Sequence, residues 1–252
     1  MQISVALWSH PRSLSTAFER SFIERGDFAV FHEAFSYVYY VHEERTDIPH
    51  KRVDPSQPRT YPEIKRMMET ARLTRPVFHK DFPYHALDHL LADPDYLRGQ
   101  VNTFLIRNPA AAVPSHLAVH PDVTREALGY AQLWELFQQV RELTGTVPVV
   151  IDADRLLADP YRVMARYCER VGITFVPDAL RWSPGPRPEW TSWEGWHRDV
   201  MASTGLTRRR DPGRPRQAAP SPPHTQDLID YCRPYYQALL GFDSTHLEEV
   251  TA

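Results

Sequence analysis

Five short runs rich in β-branched and aromatic residues, at 3–8, 28–32, 77–80, 101–106 and 147–151, alternate along the chain with stretches of helical periodicity. These runs are apolar nearly throughout rather than at every second position, so each needs cover on both faces. That pattern predicts an α/β fold in which a five-stranded parallel sheet is flanked by helices on either side. The helical stretches are read at about 13–25, 64–73, 84–91, 125–143, 161–171 and 225–240. Thr16 and Glu19 have the spacing of a capping box for the first helix, and Gly26 stands where it stops.

At 252 residues, roughly three quarters of the unfolded surface can be buried. No repeat is visible, and residues 1–252 read as one domain. Two stretches break the periodicity. Residues 44–62 are polar and punctuated by proline, while 183–224 are rich in tryptophan, proline and arginine; both are expected to be lid or substrate loops.

Several function classes are disfavoured at this stage. No apolar run approaches the roughly 18 residues of a membrane helix, so no membrane partner is expected. A formal net charge of −3 supplies no basic field for nucleic acid. The first residues do not read as a secretion signal, and two cysteines, Cys168 and Cys232, are too few for a disulfide framework. A cytoplasmic location with reduced thiols is the expectation. Any bound anion must then be held by a local cluster.

Such a cluster follows the first strand. His10-Pro11-Arg12-Ser13-Leu14-Ser15-Thr16 leads from strand to helix, where unpaired N–H groups and the helix dipole favour an anion, and adds one guanidinium and three hydroxyls. It lacks the glycines and lysine of the triphosphate-binding loop GxxxxGK[ST]. A simple helix cap is the alternative. The fourth strand ends at Arg107-Asn108-Pro109, with Ser115 on the helix that follows. In an open parallel sheet both segments reach the carboxyl edge, where ligands bind.

The pattern PRSxSTAxxR after the first strand, paired with RNPxxxxxS after the fourth, resembles the two phosphate-binding motifs of sulfotransferases that use 3′-phosphoadenosine 5′-phosphosulfate (PAPS). VIDADRLLADP and the run from CERVGI to LRWSPGP look like a bacterial and fungal small-molecule branch of that superfamily. The resemblance implies a P-loop-like three-layer domain with strand order 2-3-1-4-5 and transfer of a sulfuryl group from PAPS to a small-molecule hydroxyl or amine. It also implies that Arg12, Ser13, Leu14, Ser15, Thr16 and Ala17 hold the 5′-phosphosulfate and that Arg107 and Ser115 hold the 3′-phosphate. Lys80, one of three lysines with Lys51 and Lys65, stands where the family places a lysine beside the sulfuryl group. Ala17 replaces the tryptophan that stacks on adenine in eukaryotic relatives.

One position departs from the family. Eukaryotic cytosolic members read Lys-Thr-His where this chain has Lys80-Asp81-Phe82, so the usual basic histidine is missing. His85, Glu33 and Asp81 are the substitutes, in that order, because imidazole titrates near neutrality. The basic segment containing Arg208 and Arg209 lies where relatives close a loop over the 3′-phosphate, without matching that motif. His85 with His89, and His116 with His120, have metal-ligand spacing but no third ligand, and no metal is expected. His197 is a candidate for the acceptor pocket. A magnesium-dependent kinase and a non-catalytic nucleotide-binding protein are the rival functions.

Overall fold

The central strand of the sheet is β1, Ser4–Ser9, buried along its whole length. In the computed structural model, which describes residues 1–206 and 222–244, β1 pairs in parallel with both β3 (Val77–Asp81) and β4 (Val101–Ile106). β2 (Ala29–His32) and β5 (Val149–Asp152) form the flanks, giving the order β2-β3-β1-β4-β5. The fold is α/β, with the expected strands and the expected order.

Alternation along β1 divides the core. Ala6 and Trp8 face one layer with α2 (Tyr61–Ala71), α3 (Leu87–Leu91), α4 (Pro94–Arg98), α6 (Tyr130–Thr144) and α10 (Thr225–Leu240). Val5 and Leu7 face the other, with Phe18 and Phe22 of α1 (Ser15–Arg25) and Val163, Met164 and Tyr167 of α8 (Pro160–Val171). Each fully buried Leu or Phe contributes about 1.5–3 kcal/mol, so both layers are needed to hold β1. Three further helices are α5 (Pro109–Leu117), α7 (Ala153–Ala158) and the short α9 (Arg198–Met201).

Register brings the carboxyl ends together. Lys80 pairs with Leu7 on one side and His32 on the other, and Trp8 lies between Asp81 and Phe104. The segments after β1, β2, β3 and β4 therefore open onto one edge.

Three expectations need correction. Thr16 lies inside α1 rather than at its cap; the N-cap is Leu14, with φ 71° and no side-chain cap. The helix expected over 125–143 is broken at Gly129, with φ 75°, where an added Cβ would lie 3.2 Å from Tyr84 and 3.4 Å from Pro11. Only glycine accepts both that backbone and that contact. The stretch 84–91 is a 3₁₀ turn, Pro83–His85, followed by α3. Of the two loop regions, 44–60 carries no regular helix or strand, whereas Pro188–Trp196 is a kinked 3₁₀ segment that leads to α9. Arg208 and Arg209 lie outside the described residues.

Candidate functional site

The four segments at the sheet edge surround a cavity of about 860 Å³. One end is the turn after β1. Arg12 and Leu14 both adopt left-handed backbone, with φ 64° and 71°, a geometry that gathers successive N–H groups into an anion-binding concavity. The first turn of α1 has neither a capping side chain nor an acidic residue. Ser13 Oγ is buried without a hydrogen-bond partner, and a buried hydroxyl left so is destabilising until something meets it.

A neutral histidine braces this turn. His10 is fully buried; its Nδ1–H donates to the Pro11 carbonyl (3.0 Å) and its Nε2 accepts the Arg107 N–H (3.0 Å). Burial pushes His10 down to about 3, so the lone pair that holds Arg107 persists at neutral pH. Tyr130 stacks on the imidazole at 3.9 Å and donates to the Arg107 carbonyl (2.8 Å). Arg107 in turn donates to the Arg12 carbonyl (2.9 Å), and Arg12 Nε donates to Ser115 Oγ (3.0 Å). The two basic motifs, far apart in sequence, close on one another as expected.

At the end of β3, Lys80 has no exposed surface and is ion-paired with Glu33. Glu33 itself has φ 43°, and its N–H donates to the Lys80 carbonyl (2.7 Å). Burial pushes the Glu33 carboxyl up, but the Lys80 ammonium, by charge and hydrogen bond, together with the neighbouring His32 and His85 imidazoles outweighs it, and the net displacement is downward. His32 donates from Nδ1 to Glu19 (2.8 Å), which also accepts from Trp190 Nε1 (2.8 Å). His32 Nε2 then carries a lone pair, and His197 Nε2–H donates to it at 2.9 Å.

His32, Glu33 and His197 thus bring three ligand-type atoms within 4.8 Å of one another, a cluster the sequence reading did not find. Each is engaged by its neighbours: His32 by Glu19, Glu33 by Lys80, His197 by His32. Glu33 holds the buried Lys80 ammonium, and the two histidines are tied to each other and to Glu19 beside it. The anticipated pairs behave differently. His89 binds Glu43 (2.9 Å), apart from His85; His116 and His120 lie beside the Trp196 ring, and burial pushes His116 down to about 3.

The other end of the cavity is aromatic, with Tyr40, Phe82, Tyr84, Trp193 and Trp196 among its walls. His85 lies in this wall. Its Nδ1 is 2.6 Å from Asp81 Oδ1. Asp81 has no exposed surface and also accepts the N–H groups of Phe35 (2.7 Å) and Phe82 (2.9 Å). It does not line the cavity, unlike His85 and Glu33. Leu14, Ser15, Thr16 and Ala17 line the cavity with Arg12, Arg107 and Ser115, while Ser13 lies buried behind them.

Pro188–Trp196 and α9 cover the opening. Trp190 and His197 bind Glu19 and His32 as above, the Trp196 carbonyl accepts from Arg12 (3.3 Å), and Asp199 lies 3.5 Å from the same guanidinium.

Comparison with known proteins agrees with this picture. A family model described as "Sulfotransferase domain" matches residues 1–241. Two Arabidopsis thaliana proteins called branched-chain-amino-acid aminotransferase-like protein 2 and protein 1 are 32% identical over 238 residues and 31% identical over 245. Each alignment takes in 92% of this chain and 40% of the relative, so the chain spans well under half the length of these curated relatives. Among solved structures, the sulfotransferase domain of the Synechococcus PCC 7002 olefin synthase is similar with a TM-score of 0.54 and 14% identity, over 91% of this chain and 94% of that one. The sulfotransferase domain from the curacin biosynthetic pathway gives 0.50 and 12%, over 91% and 97%. At these identities the structural likeness concerns the fold.

Proposed function

The chain belongs to the sulfotransferase domain family, and from that premise we propose that it transfers a sulfuryl group from PAPS to a hydroxyl of a small molecule, with an amine as the second choice. The observation that carries the reading is the meeting, around one cavity, of an uncapped helix start, the Arg12–Ser115–Arg107 cluster and Glu33, with the Ser13 hydroxyl and the Lys80 ammonium buried directly behind that lining. These groups fit a ligand with two separate anionic ends. The amides of Ser15, Thr16 and Ala17 with Arg12 would hold the 5′-phosphosulfate, and Arg107 with Ser115 the 3′-phosphate. When bound, PAPS supplies the sulfuryl group, whose bond to the phosphate oxygen breaks as the acceptor oxygen bonds to sulfur.

Lys80 does not itself line the cavity, so its charge would act from behind Glu33 on the charge gathering at the transferring group, as cations do in phosphoryl transfer. His85 takes the acceptor proton. Two contacts favour it over the alternatives: Glu33 is already ion-paired with Lys80, and Asp81 is sealed from the cavity. The aromatic wall suits an apolar or aromatic acceptor. No metal is assigned to the reaction. A cytoplasmic, reducing setting accords with Cys168 and Cys232, which are free and buried, with burial pushing their thiols up to about 11 and about 12.

A thermal-shift series tests the donor. The product 3′-phosphoadenosine 5′-phosphate (PAP), without added metal and at 100 times its Kd, stabilises the fold by about 2.7 kcal/mol. ATP does so poorly, with or without Mg²⁺. Stabilisation by ATP with Mg²⁺ in excess of that by PAP would replace this reading with a kinase. Arg107→Ala weakens PAP far more than adenosine 5′-phosphosulfate, which lacks the 3′-phosphate; equal losses remove Arg107 from that role.

A further inference from the structure

His85 stands four residues after Asp81, yet no helix joins them: β3 ends at Asp81, and the 3₁₀ turn Pro83–His85 carries the imidazole back over it. The carboxylate there is held from three directions. Phe35 N–H reaches Oδ2 at 2.7 Å, and Phe82 N–H reaches Oδ1 at 2.9 Å. His85 Nδ1 lies 2.6 Å from the same Oδ1. A carboxylate only accepts, so Nδ1 must carry a proton, and in the neutral ring Nε2 is then the nitrogen with the lone pair.

The ring itself cannot turn. It is packed by Tyr84 at 4.5 Å, Phe82 at 5.2 Å and Tyr40 at 5.4 Å between centroids, with 1% of its side chain exposed. Its Nε2 has no hydrogen-bond partner among the described residues and is not among the buried orphan atoms, and the residue lines the cavity beside Glu33. Such a ring has one nitrogen committed to the protein and one left to a ligand.

We infer that Asp81 is a positioning residue: by fixing His85 as the Nδ1–H tautomer it makes Nε2 the atom that receives the acceptor's proton. The inference rests on His85 acting as the base. In the step, the acceptor's O–H proton would move to Nε2 while the oxygen's electron pair forms the new S–O bond and the donor's S–O bond to the 5′-phosphate breaks, its electron pair leaving with the phosphate oxygen of PAP. The Nδ1–H stays on nitrogen, and Asp81 faces the resulting imidazolium without taking a proton itself. The backbone donors at Phe35 and Phe82 aim the carboxylate. Phe35 lies just after Glu33, so the chain that supplies Lys80's partner also orients His85 through Asp81.

Long-range ¹H–¹⁵N correlation on protein labelled at histidine, with His85 assigned by its loss in His85→Gln, reads the tautomer directly and needs no substrate. Wild-type protein above pH 8 is expected to show a protonated Nδ1 and an unprotonated Nε2 at His85. The opposite tautomer overturns the proposal, and this arm stands even if no variant folds. Asp81→Asn removes the obligate acceptor. It is expected to weaken the Nδ1–H preference and to lower kcat on the order of 10²-fold or more, approaching loss of the base itself. PAP affinity by thermal shift stays within about 2-fold of wild type, because Asp81 does not line the cavity. An unchanged tautomer together with an unchanged kcat in Asp81→Asn also overturns it. If Asp81→Asn shifts the tautomer while neither it nor His85→Ala slows turnover, the orientation of His85 by Asp81 stands and its assignment as base falls.

Discussion

Lys80→Met is expected to lower the Tm by about 6–20 °C, because removing one partner of a buried ion pair costs about 3–5 kcal/mol and a chain of this size loses about 2–4 °C per kcal/mol. The pair sits at the end of β3 with Lys80 wholly buried, so no water replaces the ammonium. The pH dependence should also change sign. In the native protein the Glu33 carboxyl is held below its ordinary value, which stabilises the fold above the usual carboxylate range and is lost as pH falls through the depressed value. Without Lys80, burial is the largest influence left, and it raises the carboxyl. The neutral form then becomes the stable one, and stability is lost as pH rises. The Tm deficit of Lys80→Met should therefore be larger at pH 7.5 than at pH 4.5, and Lys80→Met with Glu33→Gln should recover part of it. Thermal unfolding of the variants at both pH values measures this; equal deficits, or no recovery, would show that Glu33 is not the group left stranded. Turnover should fall by about 10²–10³ in the same variant, as for loss of one preorganised transition-state donor.

His85→Ala should lower turnover by roughly 10²–10⁴ and leave PAP affinity near normal, the signature of a lost general base. Single-turnover rates with an accepted substrate, set beside PAP titrations, separate the two effects. Glu33→Gln is the comparison. If it abolishes turnover while His85→Ala does not, the roles are reversed. If both variants keep their rates, the proton goes to His197 or to water.

The strands were legible because four of the five runs are apolar but for a residue or two, 77–80 being half polar with His79 and Lys80, and runs of that kind admit few alternatives once they alternate with helices. Their order came from the resemblance carried by the Arg12 and Arg107 motifs. Local spacing misled where tertiary contacts decided. Glu19 stands three residues after Thr16, as a capping partner would, but its carboxylate turns inward to His32 and Trp190 and leaves the start of α1 open. The apolar spacing across 125–143 continues straight through Gly129, so periodicity could not report the break that lets Tyr84 approach. Asp81 and His85 were both singled out, as separate bases; their contact depends on a 3₁₀ turn that the i, i+4 spacing does not announce. His32 and His197 are 165 residues apart, and no local pattern joins them.

Arg12 serves two structures at once. Its Nε holds Ser115 in the cradle, while its terminal nitrogens reach the Trp196 carbonyl and Asp199 in the covering segment. Under the proposed function, a donor that draws this guanidinium toward its 5′-phosphosulfate is expected to change the strength of those contacts, and so to couple occupancy of the cradle to the position of the covering segment. Reciprocity then applies: the factor by which donor shifts the cover's equilibrium is the factor by which a closed cover shifts donor affinity. Cooperativity between donor and cover, in whichever order the ligands arrive, is thus expected to pass through a single arginine that joins residues 184 positions apart.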